Sequence, residues 1–281
     1  MPDIDTIVEM NGVSFAYSDS EMLFSNLDIS LNADETVGIV GANGSGKTTL
    51  FSLIVGLAKR KAGCIKVFGR TLNSGEDYAF ARRKIGLLFQ NSEDQLFCPT
   101  VAEDVAFGPL NLGASRDEAM KIVGATLADL GLDGYEKRIC YKLSGGEKKL
   151  VALAAVMSMR PEVLLLDEPA SGLDPKSRRD LQSLLGRIGR TQVIASHDME
   201  FVRSTCQRVI VMSHGTIMAD GPTDSVLSDS GLLLTHGLEM PYSLDSVHKT
   251  SAPHDHHHGT GPSHGHGHGP SHDVTQHQQT D

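Results

Sequence analysis

Residues 36–40, Thr-Val-Gly-Ile-Val, form a short apolar, β-branched run that stops at Gly41-Ala42-Asn43-Gly44-Ser45-Gly46-Lys47-Thr48. Helix-forming residues resume over 48–57. A buried strand that breaks into a glycine-rich octet and restarts as a helix leaves few folds open, because strand, loop and helix must sit in one α/β unit. The octet fits GxxxxGK[ST], in which successive backbone N–H groups wrap phosphates and the helix N-terminus adds partial positive charge. Gly41, Asn43, Gly44, Ser45, Gly46, Lys47, Thr48 and Thr49 are therefore expected to hold a nucleoside triphosphate. Lys47 would reach the β and γ phosphates, and the Thr48 hydroxyl is the expected Mg²⁺ ligand.

The rest of the chain suits such a unit. Residues 7–15 and 27–31 read as strands of a small antiparallel β layer, and 65–68 and 85–89 as further short strands. From 100 to 130 the pattern is helical, carried by Val101, Val105, Met120, Ile122, Val123 and Leu127. Residues 150–159 predict a helix ending before Pro161, and 163–166 a strand buried on both faces. A helix over 180–188 and strands over 192–195 and 209–212 follow. Strands alternating with helices predict an α/β fold with a mainly parallel sheet and crossover helices. No internal repeat is visible.

Composition narrows the class. At 281 residues, 40% hydrophobic and 21% charged, the chain supports one or two globular domains. A net charge of −10 and a pI near 5.7 argue against a nucleic-acid partner, which needs a basic patch. No run reaches the roughly 20 apolar residues that span a bilayer. The acidic N-terminus lacks the apolar core of a signal peptide, so the expected location is the cytosol. Cys64, Cys98, Cys140 and Cys206 are spread without a CxxC pair, which points to free thiols in a reducing compartment. Composition breaks near residue 248. Residues 249–281 hold almost no large apolar side chain and are expected to be disordered.

Two further motifs carry chemistry. Asp167 and Glu168 end the apolar run 163–166, where adjacent acids are costly unless they serve a site. Asp167 would hold Mg²⁺ and Glu168 would polarise the attacking water; the alternative is an N-cap for the next segment. Leu143-Ser144-Gly145-Gly146-Glu147 opens a helix in which Ser144 is a good N-cap and the glycines let an anion approach the exposed amides. Alone this is simply a capped helix. Beside the glycine loop and the two acids, it makes sense as a second anion site if ATP bridges two subunits.

The LSGGE stretch, followed after one helix by an apolar strand and Asp-Glu, resembles the signature of ABC transporter ATP-binding subunits. The resemblance covers residues 5–235 and implies an ABC-type P-loop NTPase core with a helical subdomain at about 92–158. It also implies an ATPase that uses ATP and Mg²⁺ and closes as a pair of subunits, most simply a homodimer. Ser144, Gly145 and Gly146 would then meet the γ-phosphate bound by a second copy. By the same resemblance Tyr17 stacks on adenine, Gln90 senses Mg²⁺ and the water, and His197 contacts the γ-phosphate. Asp174, in Ser171-Gly172-Leu173-Asp174, belongs to a loop that communicates across the pair.

Phe89-Gln90-Asn91-Ser92-Glu93-Asp94-Gln95-Leu96-Phe97 and the continuation from Pro99 to Asn111 are similar to energy-coupling factor importers, with Ser92 in place of the usual Pro. That similarity implies a transmembrane coupling subunit docking on this face, a substrate-binding membrane subunit, and a peripheral position on the cytoplasmic face of the membrane. After residue 235 only a short extension, 236–248, precedes the tail. Nine of the thirteen histidines fall in that tail. Neutral imidazole suits Ni²⁺, Co²⁺, Cu²⁺ and Zn²⁺, so His254, His256, His257, His258, His264, His266 and His268 are candidate ligands for a transition metal. The function expected is ATP-driven uptake of nickel or cobalt. The alternatives are a vitamin importer of the same type, or a cytosolic metal-buffering protein with a regulatory ATPase cassette.

Overall fold

The computed structural model describes residues 6–18, 21–189 and 191–244. The run at 36–40 is β3 (Thr36–Val40), and it lies inside a six-stranded sheet with β6 (Ile85–Leu88), β7 (Val163–Asp167), β8 (Thr191–Ser196), β9 (Arg208–Ser213) and β10 (Thr216–Pro222). The order is β10-β9-β3-β8-β7-β6. Every pairing is parallel except that of the edge strand β10 with β9. A second sheet is antiparallel, in the order β2-β1-β4-β5, from β1 (Thr6–Phe15), β2 (Phe24–Asn32), β4 (Ala62–Val67) and β5 (Arg70–Thr71). The strand expected at 65–68 thus belongs to the antiparallel layer.

Burial on both faces explains the unbroken apolar runs of the parallel strands. In β7, Val163 and Leu165 point into a core shared with the antiparallel sheet and α1 (Lys47–Val55). Leu164 and Leu166 point into the opposite core, under the helices. All five residues of β7 are buried. Full burial of one such leucine is worth about 1.5–3 kcal/mol.

The helical reading of 100–130 corresponds to two helices, α3 (Val101–Asn111) and α4 (Arg116–Asp129). Gly113, at φ 97°, turns the chain between them. Ser115 then starts α4 with a capping box, its hydroxyl accepting from Glu118 N while Glu118 answers on Ser115 N. α5 (Gly145–Met157) packs across α3 and carries the LSGGE stretch at its start. α6 (Pro175–Ile188) begins five residues before the expected 180, because Asp174 caps it and Pro175 supplies its first turn. Among the elements that escape the sequence reading are α2 (Gly75–Lys84), α7 (Met199–Thr205) and the edge strand β10. Short helices α8 (Thr223–Leu227) and α9 (Ser230–Thr235) follow β10. Among the described residues no helix is long and apolar enough to cross a membrane.

Parallel strands all end on one edge. Gly41 follows β3, Gln90 lies beyond β6, Asp167 ends β7, His197 follows β8 and His214 follows β9. In open α/β sheets this carboxyl edge is where ligands bind.

Candidate functional site

The loop after β3 is built for close backbone approach. Gly46 caps α1 at φ 110°, and a Cβ there would sit 2.5 Å from the Phe24 ring. A Cβ on Gly41 would meet the Met212 carbonyl at 2.3 Å. Only glycine fits either position. Lys47 is buried, and its Nζ donates to Gly41 O at 2.7 Å and Ala42 O at 3.2 Å. Burial pushes its pKa down, while the carboxylates of Glu168 and Asp167 push it back up.

Thr48 Oγ1 donates to Asp167 Oδ2 at 2.6 Å. The other carboxylate oxygen, Oδ1, is buried with no hydrogen-bond partner among the described residues. Burial raises the Asp167 pKa, the Thr48 hydrogen bond lowers it, and the neighbouring Glu168 raises it again. An orphaned carboxylate oxygen beside a hydroxyl is the oxygen donor set of a small hard cation such as Mg²⁺.

Glu168 is held from every side. Its φ is 48°, in the left-handed region, which a residue with a side chain enters only at a cost. Its N–H donates to Ala195 O at 2.8 Å. One carboxylate oxygen, Oε1, lies 2.8 Å from His197 Nδ1, and the other accepts from Ser196 Oγ at 3.3 Å. The carboxyl side chain is 6% exposed, whereas the imidazole, at 61%, faces outward.

These groups border a cleft of about 690 Å³ at the carboxyl edge. Of the residues expected to bind nucleotide, Tyr17, Asn43, Gly44, Gly46, Lys47, Thr48 and Thr49 line it, together with Gln90, Asp167 and Glu168. Tyr17 stands at the mouth, edge-on to Phe15 at 4.8 Å, with its hydroxyl 2.7 Å from Thr49 Oγ1. Gly41 and Ser45 lie in the same loop but do not line the cleft. His197 joins it through Glu168.

Ser144, Gly145, Gly146 and Asp174 do not line the cleft. Ser144 caps α5 in a box with Glu147, whose carboxylate also takes the Tyr135 hydroxyl and Arg138. The Ser144 amide, the Tyr135 hydroxyl and Arg138 hold the Glu147 pKa down, at about 2. A Cβ added at Gly145 meets nothing within 4 Å, so this helix start is open. Asp174 caps α6, accepting from Lys176 N at 2.9 Å and Ser177 N at 3.1 Å. The histidines from His254 onward lie outside the described residues. Among the described residues no group of three or more His, Cys, Asp and Glu is arranged to hold a metal ion.

Sequence reasoning passed over several neighbours of the site. Glu21, Met22, Leu23 and His214 line the cleft; the position of His214 directly after a parallel strand was the available signal. Lys149 is buried on α5, with Nζ donating to Glu168 O at 2.9 Å and Gln90 O at 3.2 Å. Its signal was a lysine on the stripe shared with Ala152, Leu153 and Val156.

Comparison with known proteins agrees with this geometry. Residues 24–171 match the family model described as ABC transporter. A Gloeobacter violaceus protein provisionally named as an ABC transporter ATP-binding protein is 48% identical over 232 residues, 82% of this chain and 95% of that protein. The energy-coupling factor transporter ATP-binding protein EcfA of Methanothermobacter thermautotrophicus is 38% identical over 247 residues, 86% and 79% of the two chains. Among solved structures, cbiO1 from Clostridium perfringens, part of the ABC transporter complex cbiONQ, superposes with a TM-score of 0.74 at 32% identity, covering 87% of this chain and 99% of that one.

Proposed function

This chain belongs to the ABC transporter family as an ATP-binding subunit, and from that premise we propose that it is the ATPase of an energy-coupling factor importer carrying nickel or cobalt inward. It would work as a pair of copies beneath a transmembrane coupling subunit and a substrate-binding membrane subunit. The observation that carries the pairing is the separation of the two anion sites. Lys47, Thr48, Asp167 and Glu168 share one cleft, and Ser144 caps an open helix start outside it.

In this reading Lys47 exchanges the carbonyls of Gly41 and Ala42 for the β and γ phosphate oxygens. Asp167 and Thr48 would hold Mg²⁺, which would supply neutralising charge for the phosphates. Glu168 orients the attacking water and takes up its proton, while His197 and Ser196 fix the two carboxylate oxygens. Gln90 reaches the same water from the end of β6. Ser144, Gly145 and Gly146 of the second copy cover the γ-phosphate, and Asp174 adjoins that contact. Release of phosphate reopens the pair.

The membrane-facing surface in this proposal is the loop from Gln90 to Phe97 with α3. Phe97, at 64%, and Phe107, at 46%, stay exposed and pack edge to face at 4.8 Å. Two exposed aromatics in edge-to-face contact, with Leu110 and Leu112 also exposed further along the chain, suit the apolar side of a docked helix. The likeness to EcfA supports the energy-coupling type. Support for a metal cargo comes from the tail, where histidines recur between residues 254 and 277.

Whole-cell nickel and cobalt measured by elemental mass spectrometry, with the intact protein or Glu168→Gln in the native host, tests the cargo. A selective fall in one metal is the expected result. Unchanged metals with ATPase activity lost in the purified variant would overturn the metal cargo and favour a vitamin.

A further inference from the structure

Lys149 lies in the second turn of α5 and is 5% exposed. Its ammonium carries three protons and meets three backbone carbonyls, from the two loops that follow β6 and β7. These are Glu168 O at 2.9 Å, Gln90 O at 3.2 Å and Ser171 O at 3.4 Å. No carboxylate oxygen of a described residue lies within salt-bridge reach of it. Burying an ammonium without a direct counter-ion is costly, and desolvation does lower its pKa, opposed by Glu168 and Asp167 at longer range. A long apolar side chain would fill the same space without that cost. Here the charge is spent on three carbonyl oxygens.

What it holds is the unusual peptide of the site. Glu168 sits at φ 48°, with its N–H tied to Ala195 O and its carbonyl tied to Lys149. A left-handed backbone at a non-glycine residue persists only where its surroundings fix it. The same ammonium fixes the loop of Gln90 and the loop Ser171-Gly172-Leu173-Asp174. Next to it, Lys148 pairs with Glu93 in the segment after Gln90. Lys149 is also five residues from Ser144 on one continuous helix.

Resting on the reading of Glu168 given above, we infer that Lys149 is a positioning residue: it aims the Glu168 carboxylate by holding its strained backbone, and it ties that carboxylate rigidly to the helix whose start serves the second copy. Anion capture at Ser144 and placement of Glu168 in the same chain are then one movement. Lys149 touches no substrate.

The test is a double-mutant cycle in the full chain, with Lys149→Met, Glu168→Gln and the pair, read as steady-state MgATP hydrolysis and thermal melting. Lys149→Met is expected to lower kcat on the order of 10- to 100-fold, as displaced catalytic groups do, with the KM for ATP within about threefold. Added to Glu168→Gln it should cause no further loss, because both act through one carboxylate. A normal kcat in Lys149→Met, or full additivity in the pair, overturns the inference. If Glu168→Gln itself turns over normally, the reading of the site fails first. Should Lys149→Met not fold, Lys149→Gln retains two donors; an intermediate kcat at unchanged KM supports the inference, and a normal kcat or a KM rising in step with the loss of kcat overturns it.

Discussion

His197 Nδ1 lies 2.8 Å from Glu168 Oε1, so the ends of the neighbouring strands β8 and β7 meet through two side chains. The contact joins an outward-facing imidazole to a buried carboxylate, and it is short enough to fix the carboxylate rotamer. His197→Ala should therefore leave the fold almost untouched, within about 0.5 kcal/mol, because the ring is mostly in solvent. The kcat for ATP should fall on the order of 100-fold. Thermal melting beside steady-state hydrolysis checks both halves.

Asp167 gives the opposite balance. Its buried carboxylate is raised in pKa by desolvation and has one oxygen without a partner among the described residues. Asp167→Asn removes that cost while an amide oxygen can still accept from Thr48. Without nucleotide the variant should be more stable, by about 1 kcal/mol. The gain in ATP affinity on adding Mg²⁺ should shrink on the order of tenfold. Urea denaturation and calorimetric titration with and without Mg²⁺ measure the two effects.

Glu147 makes an acid-sensitive contribution. Its folded pKa is about 2, against an ordinary value of 4.5, so the unfolded chain binds more protons between these values. The stabilisation is complete above 4.5 and is lost as pH falls toward 2. It amounts to about 1 kcal/mol, since solvent screens a partly exposed carboxylate. Glu147→Gln keeps an oxygen for the Ser144 amide and does not titrate. The stability gap between wild type and variant should therefore narrow as urea melts are moved from pH 6 toward about pH 3.

Asp104 is a structural acid with no part in the cleft. One carboxylate oxygen accepts from Phe97 N at 3.1 Å and Cys98 N at 3.0 Å, and the other from the Cys140 thiol at 3.1 Å. Asp104→Ala strands those donors and should cost about 2–4 kcal/mol. The loss should appear in the urea midpoint. ATP binding to the purified subunit, well away from this joint, should persist below the transition.

Legibility in the sequence followed locality. β3 and β7 were readable because burial on both faces leaves an unbroken apolar run. α2 was not, since Ala81 is its only buried residue and no stripe forms. β10 was hidden for a related reason: it is an edge strand with Gly221 and Pro222 at its end and none of its residues fully buried. The break between α3 and α4 was written in Ser115-x-x-Glu118, a capping box inside what looked like one helical stretch. In the site, the glycine loop and the two acids were plain because each motif is contiguous. Lys149 could not be read in the same way, because its partners stand 19, 22 and 59 residues away.

The open start of α5 and the cleft around Lys47 belong to one chain yet do not meet in it. On the proposed pairing, turnover needs an encounter between two molecules, so the specific activity of the isolated subunit should climb with its concentration. A membrane partner that seats two copies side by side would replace that encounter with permanent proximity. A dilute, unassembled subunit would then idle, and its ATP consumption would begin only where there is a transporter to drive.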